Sequence, residues 1–522
     1  MGLYNARPVP GSTSLTLLQK LILVAILAVA MWLRLAGIGV GLPYRVAADE
    51  PAIMEKSVNI VKSGDFHPHF FDYGGFTIYL HSAVASVRFL YGAMNKEWAS
   101  LEDDDVWPGA FYHWSRIVTA LIGTLTVFIV FRSATRWGPL TGLIAAAAMA
   151  VQPQHVRESH FALTDIPLTF FVALTLLLSQ RAAEGGRFRE YFVAGLATGL
   201  AMATKYNGAI ALLMPFIVVF LSAKPETRVM SAIAVIAGTL GGFVAAAPYS
   251  VLDLPGFLNG FAELMQHYNA PRAFSEMAST YFKFVVIWFG YPGLLPRWIG
   301  YPAVMLFVFG GLMLLADLRQ PGRRGPALAA LLFPLTYFWF VSNQSLQFGR
   351  YLMPIVPMLS IGVAVGIVAV RDLIARRTSP RTTRLVFVGL LLVLVPPGLT
   401  ARAFVLDQRR VSTEEQVGRW LTENVKPNER IVFEAALQLP PRFKHERVLR
   451  LITYPVAQYR SDGTVYLVAS STEYDKYFND PSRFARQITE YNELFKATDL
   501  VMTFNPSAEH PGATIRVMKL VR

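Results

Sequence analysis

The sequence predicts a mainly α-helical, polytopic membrane protein that ends in a small α/β domain outside the bilayer. Three observations predict it. Of 522 residues, 53% are hydrophobic and 16% charged, against about 25% charged in ordinary soluble domains. Apolar runs long enough to cross hydrocarbon recur through residues 1–404 and then stop, and mean hydropathy is +0.40. From residue 405 to 522 the composition becomes that of a soluble domain of mixed helix and strand pattern.

The apolar segments fall at about 16–38, 113–133, 138–155, 163–181, 191–206, 207–222, 230–248, 298–316, 326–342, 350–371 and 384–403, about eleven in all. Arg7 and Lys20 precede the run 21–35, and Arg34 closes it. No small-residue cleavage site follows, so the run reads as a retained first helix. Lys and Arg cluster in alternate short loops: Arg132 and Arg136; Arg181, Arg187 and Arg189; Lys224 and Arg228; Arg319, Arg323 and Arg324; and Arg371 to Arg384. All five loops fall on one side if the N-terminus is cytoplasmic. The net charge of +13 therefore reads as membrane orientation, and nucleic acid is not expected as a partner.

Two long segments remain on the outer side, about 39–111 and 249–297, and both belong to the expected transmembrane module 1–404. Within the first, 76–94 has one apolar helical face and reads as an interfacial helix. Within the second, 281–289 reads as an amphipathic helix ended by Gly290, Pro292, Gly293 and Pro296. In the C-terminal domain, Ser412 and Glu415 form a capping-box pattern, followed by Val417, Trp420, Leu421 and Val425 at helical spacing. Strands are expected at 430–434, 448–453, 464–469, 499–504 and 514–520, with a helix between Pro481 and Ala497.

The residues able to carry chemistry sit on the predicted outer side. Asp49-Glu50 follows the first apolar segment and precedes Pro51. The pair reads either as a cap for the next helix or as a general base with support from its neighbour. Asp165 enters an apolar segment from outside, either as a cap or as a second acid in an outer cavity. Lys205 interrupts two apolar runs, so it either snorkels or holds an anion. Arg350 runs against the positive-inside trend, and its guanidinium suits bidentate phosphate binding. His67, His69, His81, His113, His155 and His160 show no convincing ligand spacing, so no metal cofactor is required, although a divalent ion is not excluded. Cysteine is absent, which removes thiolate chemistry. No Walker or Rossmann glycine pattern occurs, so a nucleotide-sugar donor is disfavoured and a lipid-carried donor favoured.

These features, in this order and sidedness, resemble the GT-C membrane glycosyltransferases. The resemblance is to the branch holding protein O-mannosyltransferases and the bacterial lipid A aminoarabinose transferase. It rests on Asp49-Glu50, the Arg116-bearing segment ending near Gly138, the turn 155–165, the stretch 199–205 and Arg350-Tyr-Leu-Met-Pro-Ile-Val-Pro357. The region from Arg410 through Trp420 to Tyr491-Asn-Glu-Leu-Phe is also similar to outer domains of bacterial members. The resemblance implies an inverting transfer of a hexose or pentose from a polyprenyl-phosphate carrier to a hydroxyl of a lipid, glycan or protein. It implies a bacterial inner membrane location. Asp49, Glu50 and Asp165 would be the catalytic acids. Lys205, Arg350 and Tyr351 would hold the lipid phosphate, with His67 and Tyr73 as further contacts. Asp72-Tyr-Gly-Gly-Phe-Thr departs from the family, in which many members carry a basic residue followed by prolines. The competing reading is a transporter or lipid flippase, which would favour repeats and midplane charges that this chain lacks.

Overall fold

The computed structural model describes residues 15–47, 49–268, 273–288 and 300–521. Contacts divide the chain into two compact units. One comprises Met1–Ala36, Phe66–Leu80 and Ile117–Val405; the other comprises Gly37–Asp65, His81–Arg116 and Leu406–Arg522.

The first unit is helical. Its elements are α1 (Leu17–Leu35), the first part of α3 (Gly75–Met94), most of α4 (Tyr112–Ala134), α5 (Pro139–Ala150), α6 (Pro153–Glu158), α7 (Asp165–Gly185), α8 (Phe188–Thr204), α9 (Leu213–Ser222) and α10 (Arg228–Ala246). There follow α11 (Tyr249–Leu252), α12 (Leu254–Tyr268), α13 (Phe274–Trp288), α14 (Tyr301–Asp317), α15 (Pro321–Ser342), α16 (Val356–Ala375), α17 (Pro380–Leu391) and most of α18 (Val395–Gln408). The described residues of each of the eleven apolar segments are mainly helical, and 138–155, 207–222, 350–371 and 384–403 each span more than one helical element. Seven helical stretches among the described residues are long and apolar enough to cross a membrane. The core is built on α7, α9, α15 and α16, with Val172, Leu176, Met214, Phe333 and Leu359 buried.

Small residues set two close helix crossings. A Cβ on Gly199 of α8 would lie 2.2 Å from the Thr239 carbonyl of α10, and one on Gly238 would lie 2.1 Å from Phe192 O. Gly310 of α14 and Gly362 of α16 approach likewise, at 2.0 Å. Inside lipid, where apolar contact drives no association by itself, such backbone proximity is what holds helices together. The breaker cluster at 290–296 lies outside the described residues. The amphipathic helix ahead of it begins earlier than the sequence pattern suggests, at Phe274, and α12 precedes it.

The second unit holds α2 (Glu50–Ser63), the remainder of α3, and a five-stranded sheet. The strands are β1 (Arg430–Phe433), β2 (His445–Arg447), β3 (Thr464–Ser470), β4 (Thr498–Phe504) and β5 (Ile515–Leu520), in the order β2-β1-β3-β5-β4. β1 runs parallel to β2 and β3, whereas β5 is antiparallel to β3 and β4. Period-two alternation sorts the sheet's two faces. Ile431, Phe433, Val468 and Val517 pack with Val417 and Leu421 of α19 (Thr413–Asn424), while Val432, Leu467 and Met518 pack with Tyr491 and Leu494 of α22 (Ala485–Lys496). Ser412 Oγ accepts from Glu415 N at 3.3 Å, which starts α19 where the capping pattern places it.

The strand expected at 448–453 is a correction. The pairing segment is the polar His445–Arg447, and Leu451–Thr453 is a 3-10 turn whose Leu451 plugs the core. Its apolar residues are buried by a turn against α22 and not by a strand. Two further helices, α20 (Val456–Ser461) and α21 (Ser471–Phe478), have no counterpart in the sequence pattern. Segment 37–65 is fastened within this unit. Arg45 bridges Leu437, Gln438 N donates to Tyr44 O at 2.9 Å, and the Tyr44 ring occupies the space above Gly418, where a Cβ would meet it at 2.5 Å.

Candidate functional site

In the first unit, three charged residues expected from the sequence meet. Asp165 opens α7. Lys205 follows α8 in an extended conformation, between α8 and the 3-10 stretch Tyr206–Leu212. Arg350 lies in the 3-10 segment Gly349–Ile355 that leads into α16. Lys205 Nζ donates to Asp165 Oδ1 at 3.2 Å, and Arg350 Nε stands 3.8 Å from Asp165 Oδ2. Asp165 is buried, while the two cations retain some exposure. Thr164, at the N-cap of α7, makes no side-chain cap bond, so the carboxylate of Asp165 is engaged by ion pairs. Two cations thus face one buried carboxylate.

Aromatic rings frame the lysine. Its Nζ lies 4.7 Å from the Tyr351 ring centroid and 5.9 Å from that of Tyr73, within cation–π range. Tyr351 Oη lies 3.2 Å from Tyr268 Oη. Tyr206 Oη lies 2.9 Å from Phe71 O and 3.1 Å from Tyr73 O, which fixes the departing segment Asp72-Tyr-Gly-Gly beside Lys205. A cleft of about 70 Å³ opens here. Its polar end is Lys205, Tyr268 and Tyr351, and its other wall is Leu264, Met265 and Phe340. The shape suits an anionic head on an apolar tail.

The remaining expected residues are placed elsewhere. His67 Nε2 bonds Asp253 Oδ2 at 2.9 Å, stacks on His69 and does not line this cleft. The His67 bond and a backbone N–H from Gly256 hold the exposed Asp253 carboxyl below its usual range. No cluster of three metal-ligating groups occurs among the described residues. Asp49 and Glu50 belong to the second unit. Glu50 is fully buried and accepts from Arg116 Nε at 2.8 Å, Arg116 Nη2 at 2.7 Å and Ala47 N at 2.9 Å. The Arg116 guanidinium also reaches the carbonyls of Arg45, at 3.2 Å, and Ile38, at 3.4 Å. Glu50 thus ties the loop 38–50 to the start of α4. Asp49 occupies the N-cap of α2 without a side-chain cap bond.

Sequence reading missed Glu158, Tyr268 and Asp72. Glu158 is buried beside Arg157 in the turn 155–165 between two apolar segments. Tyr268 reaches the cleft only because α12 folds back along it. Asp72 was noted only as a departure, yet it lines the cleft with Lys205.

Residues 113–251 match the family model for dolichyl-phosphate-mannose-protein mannosyltransferases. A stretch of 114 residues is 34% identical to the lipid A galacturonosyltransferase RgtD of Rhizobium johnstonii; it spans 20% of this chain and 23% of that relative. The fold is similar to that of ArnT from Cupriavidus metallidurans bound to undecaprenyl phosphate, with a TM-score of 0.54 and 16% identity over 95% of this chain and 97% of that one. It is also similar to the oligosaccharyltransferase AglB of Archaeoglobus fulgidus in complex with an inhibitory peptide and a dolichol-phosphate, with a TM-score of 0.57 and 12% identity over 95% and 74% of the two chains.

Proposed function

We propose that this chain is a membrane glycosyltransferase of the GT-C type, which transfers a sugar from a polyprenyl-phosphate carrier to a hydroxyl acceptor at the outer face of the membrane. The observation that carries the reading is Lys205, which pairs with Asp165 beside Arg350 and lines a cleft whose far wall is Leu264, Met265 and Phe340. The two cations take the phosphate of the carrier. As the acceptor oxygen attacks the anomeric carbon from the opposite face, the bond from that carbon to the phosphate oxygen breaks. The charge gathering on the leaving phosphate is met by groups already in place. Tyr351 and Tyr73 confine the head group beside Lys205.

Asp49 takes the acceptor proton. Its position at the head of α2, next to the Glu50–Arg116 pair, supports this role, as does the resemblance to the family. Glu50 is the holder, not the base, since both its oxygens are engaged. The N-terminus lies in the cytoplasm and the C-terminal domain outside, in a bacterial inner membrane.

The purified chain, offered a panel of polyprenyl-phosphate sugars, is expected to release polyprenyl phosphate with at least one donor. Asp49→Asn is expected to keep donor binding and lose transfer. A fully active Asp49→Asn would remove Asp49 from the mechanism, and a panel with no turnover would sink the reading itself.

A further inference from the structure

The cleft beside Lys205 holds one acid that the proposed reaction does not use. Asp72 lines it with Lys205, Asn207, Tyr268, Gln344 and Tyr351, and it is the one carboxylate among the described residues of that lining. Asp72 is exposed, yet its backbone is held on two sides. Tyr206 Oη lies 2.9 Å from Phe71 O and 3.1 Å from Tyr73 O, so one phenol hydroxyl grips the carbonyls of the residues before and after it. Gly74 lets the chain press on the end of α8, since a Cβ there would lie 2.0 Å from Ala203 O. On its other side, Phe71 packs on Phe257 of α12 with ring centroids 5.9 Å apart, and a Cβ on Gly260 would meet Phe71 Cβ at 2.8 Å. Asp72 is thus an open carboxylate on a fixed backbone, as a residue that reads a ligand needs to be.

A carboxylate in a cleft that takes a phosphate repels that phosphate unless it finds donors of its own. An ionised carboxylate offers about four acceptor sites and no donor, and hydroxyls bind it through charge-assisted hydrogen bonds. The part of the proposed donor that is rich in hydroxyls is the sugar, which is joined directly to the phosphate. We propose that Asp72 is the specificity-determining residue of the donor site: its carboxylate accepts hydrogen bonds from hydroxyls of the sugar whose phosphate Lys205 holds. This deepens the function proposed above and rests on it.

The test is calorimetric binding of the full-length chain in detergent to undecaprenyl phosphate esters of equal charge. The methyl ester has no hydroxyls; the glucosyl, galactosyl, mannosyl and arabinosyl esters have several. The wild type is expected to bind at least one glycosyl ester about tenfold or more tightly than the methyl ester. Asp72→Ala should lose most of that preference by weakening the glycosyl ester. It should bind the methyl ester as well as the wild type or better, because a negative charge has left the cleft. Its thermal midpoint should not move, since Asp72 is exposed. Tyr206→Phe releases the two carbonyls and should reduce the same preference with every charge in place. If Asp72→Ala tightens methyl and glycosyl esters alike, Asp72 is a counter-ion only; if it weakens both alike, its role is structural. Either result overturns the inference and leaves the donor site standing. If Asp72→Ala does not fold, the wild type decides, and equal binding of the methyl ester and every glycosyl ester overturns the inference. Absence of binding by every ester overturns both this inference and the function on which it rests.

Discussion

At the scale of single residues, charges of similar burial do different work. Glu50 and Arg116 are a closed pair in which every strong donor has an acceptor, so breaking it leaves a buried charge uncompensated. Glu50→Gln is expected to cost about 3–5 kcal/mol and to loosen the loop that carries Asp49. Asp49→Asn should cost less than about 1 kcal/mol, since Asn is an equally good N-cap residue. Thermal midpoints of the two variants, read beside their transfer rates, separate a holder from a base. Lys205, by contrast, keeps part of its surface open toward the cleft. Lys205→Met should leave the fold intact, because Arg350 still faces Asp165, and lower kcat/KM for the donor by about 10²–10³. A loss of folding equal to the loss of activity would make Lys205 structural. Lys205 and Arg350 were legible in the sequence because each breaks an apolar pattern or a charge rule. Glu158 was not, because its burial is created by a segment nearly two hundred positions away, about which local pattern says nothing.

At the scale of elements, the helices and the fastened outer loop depend on missing side chains. The α8–α10 crossing needs Gly199, and α8 is what delivers Lys205 to its place. Gly199→Leu must push the helices apart or misplace the end of α8, so it should lower donor affinity without touching the cleft. Gly418→Val would drive a side chain into the Tyr44 ring and lift segment 37–65 off α19. Faster hydrogen exchange confined to that segment and α2 is the expected signature, and an unchanged exchange map would count against the fastening. In the sheet, Glu434 closes the end of β1, accepting from Leu451 N, Ser470 N and Tyr491 Oη. Burial pushes its carboxyl up to about 7 against the pull of those three bonds. Between the ordinary value and about 7, the folded state holds a proton that the unfolded chain has released. Stability of this domain should therefore fall as pH rises through that window, by on the order of 3 kcal/mol, and stay level below it. Hydrogen exchange in β1 and β3 followed from pH 4 to 7, and corrected for intrinsic rates, checks the slope. β1, β3, β4 and β5 were readable from β-branched and aromatic runs. β2 was not, since His445-Glu-Arg447 is polar on both faces and becomes a strand only by pairing with β1.

At the scale of the whole molecule, orientation is a statement about many weak signals acting together. Five basic loops alternate with connections that carry fewer Lys and Arg or balance them with acids, Lys205 and Arg350 apart, and loop Lys and Arg, more than net charge, set topology. Some of these arginines are tied by local partners. Arg136 pairs with Glu184, and Arg323 lies 3.5 Å from Asp317, which also accepts from Trp137 Nε1 at 2.8 Å. Such pairs brace neighbouring helices at one end without cancelling the orientation signal, because acidic residues contribute little to it. The cluster of Asp165, Lys205 and Arg350 lies at the opposite ends of α7, α8 and α16 from these loops, as an outer-face site requires. The absence of cysteine makes the topology directly measurable, because any single introduced cysteine reports alone. In intact cells, a membrane-impermeant maleimide is expected to label cysteines placed at Lys96, Ser461 and Asp480. It should spare those at Arg187, Lys224 and Ser379 until the membrane is opened. The reverse pattern would place the charged cleft on the cytoplasmic side, where a lipid-carried donor presented outside could not reach it, and the proposed reaction would fail with the topology.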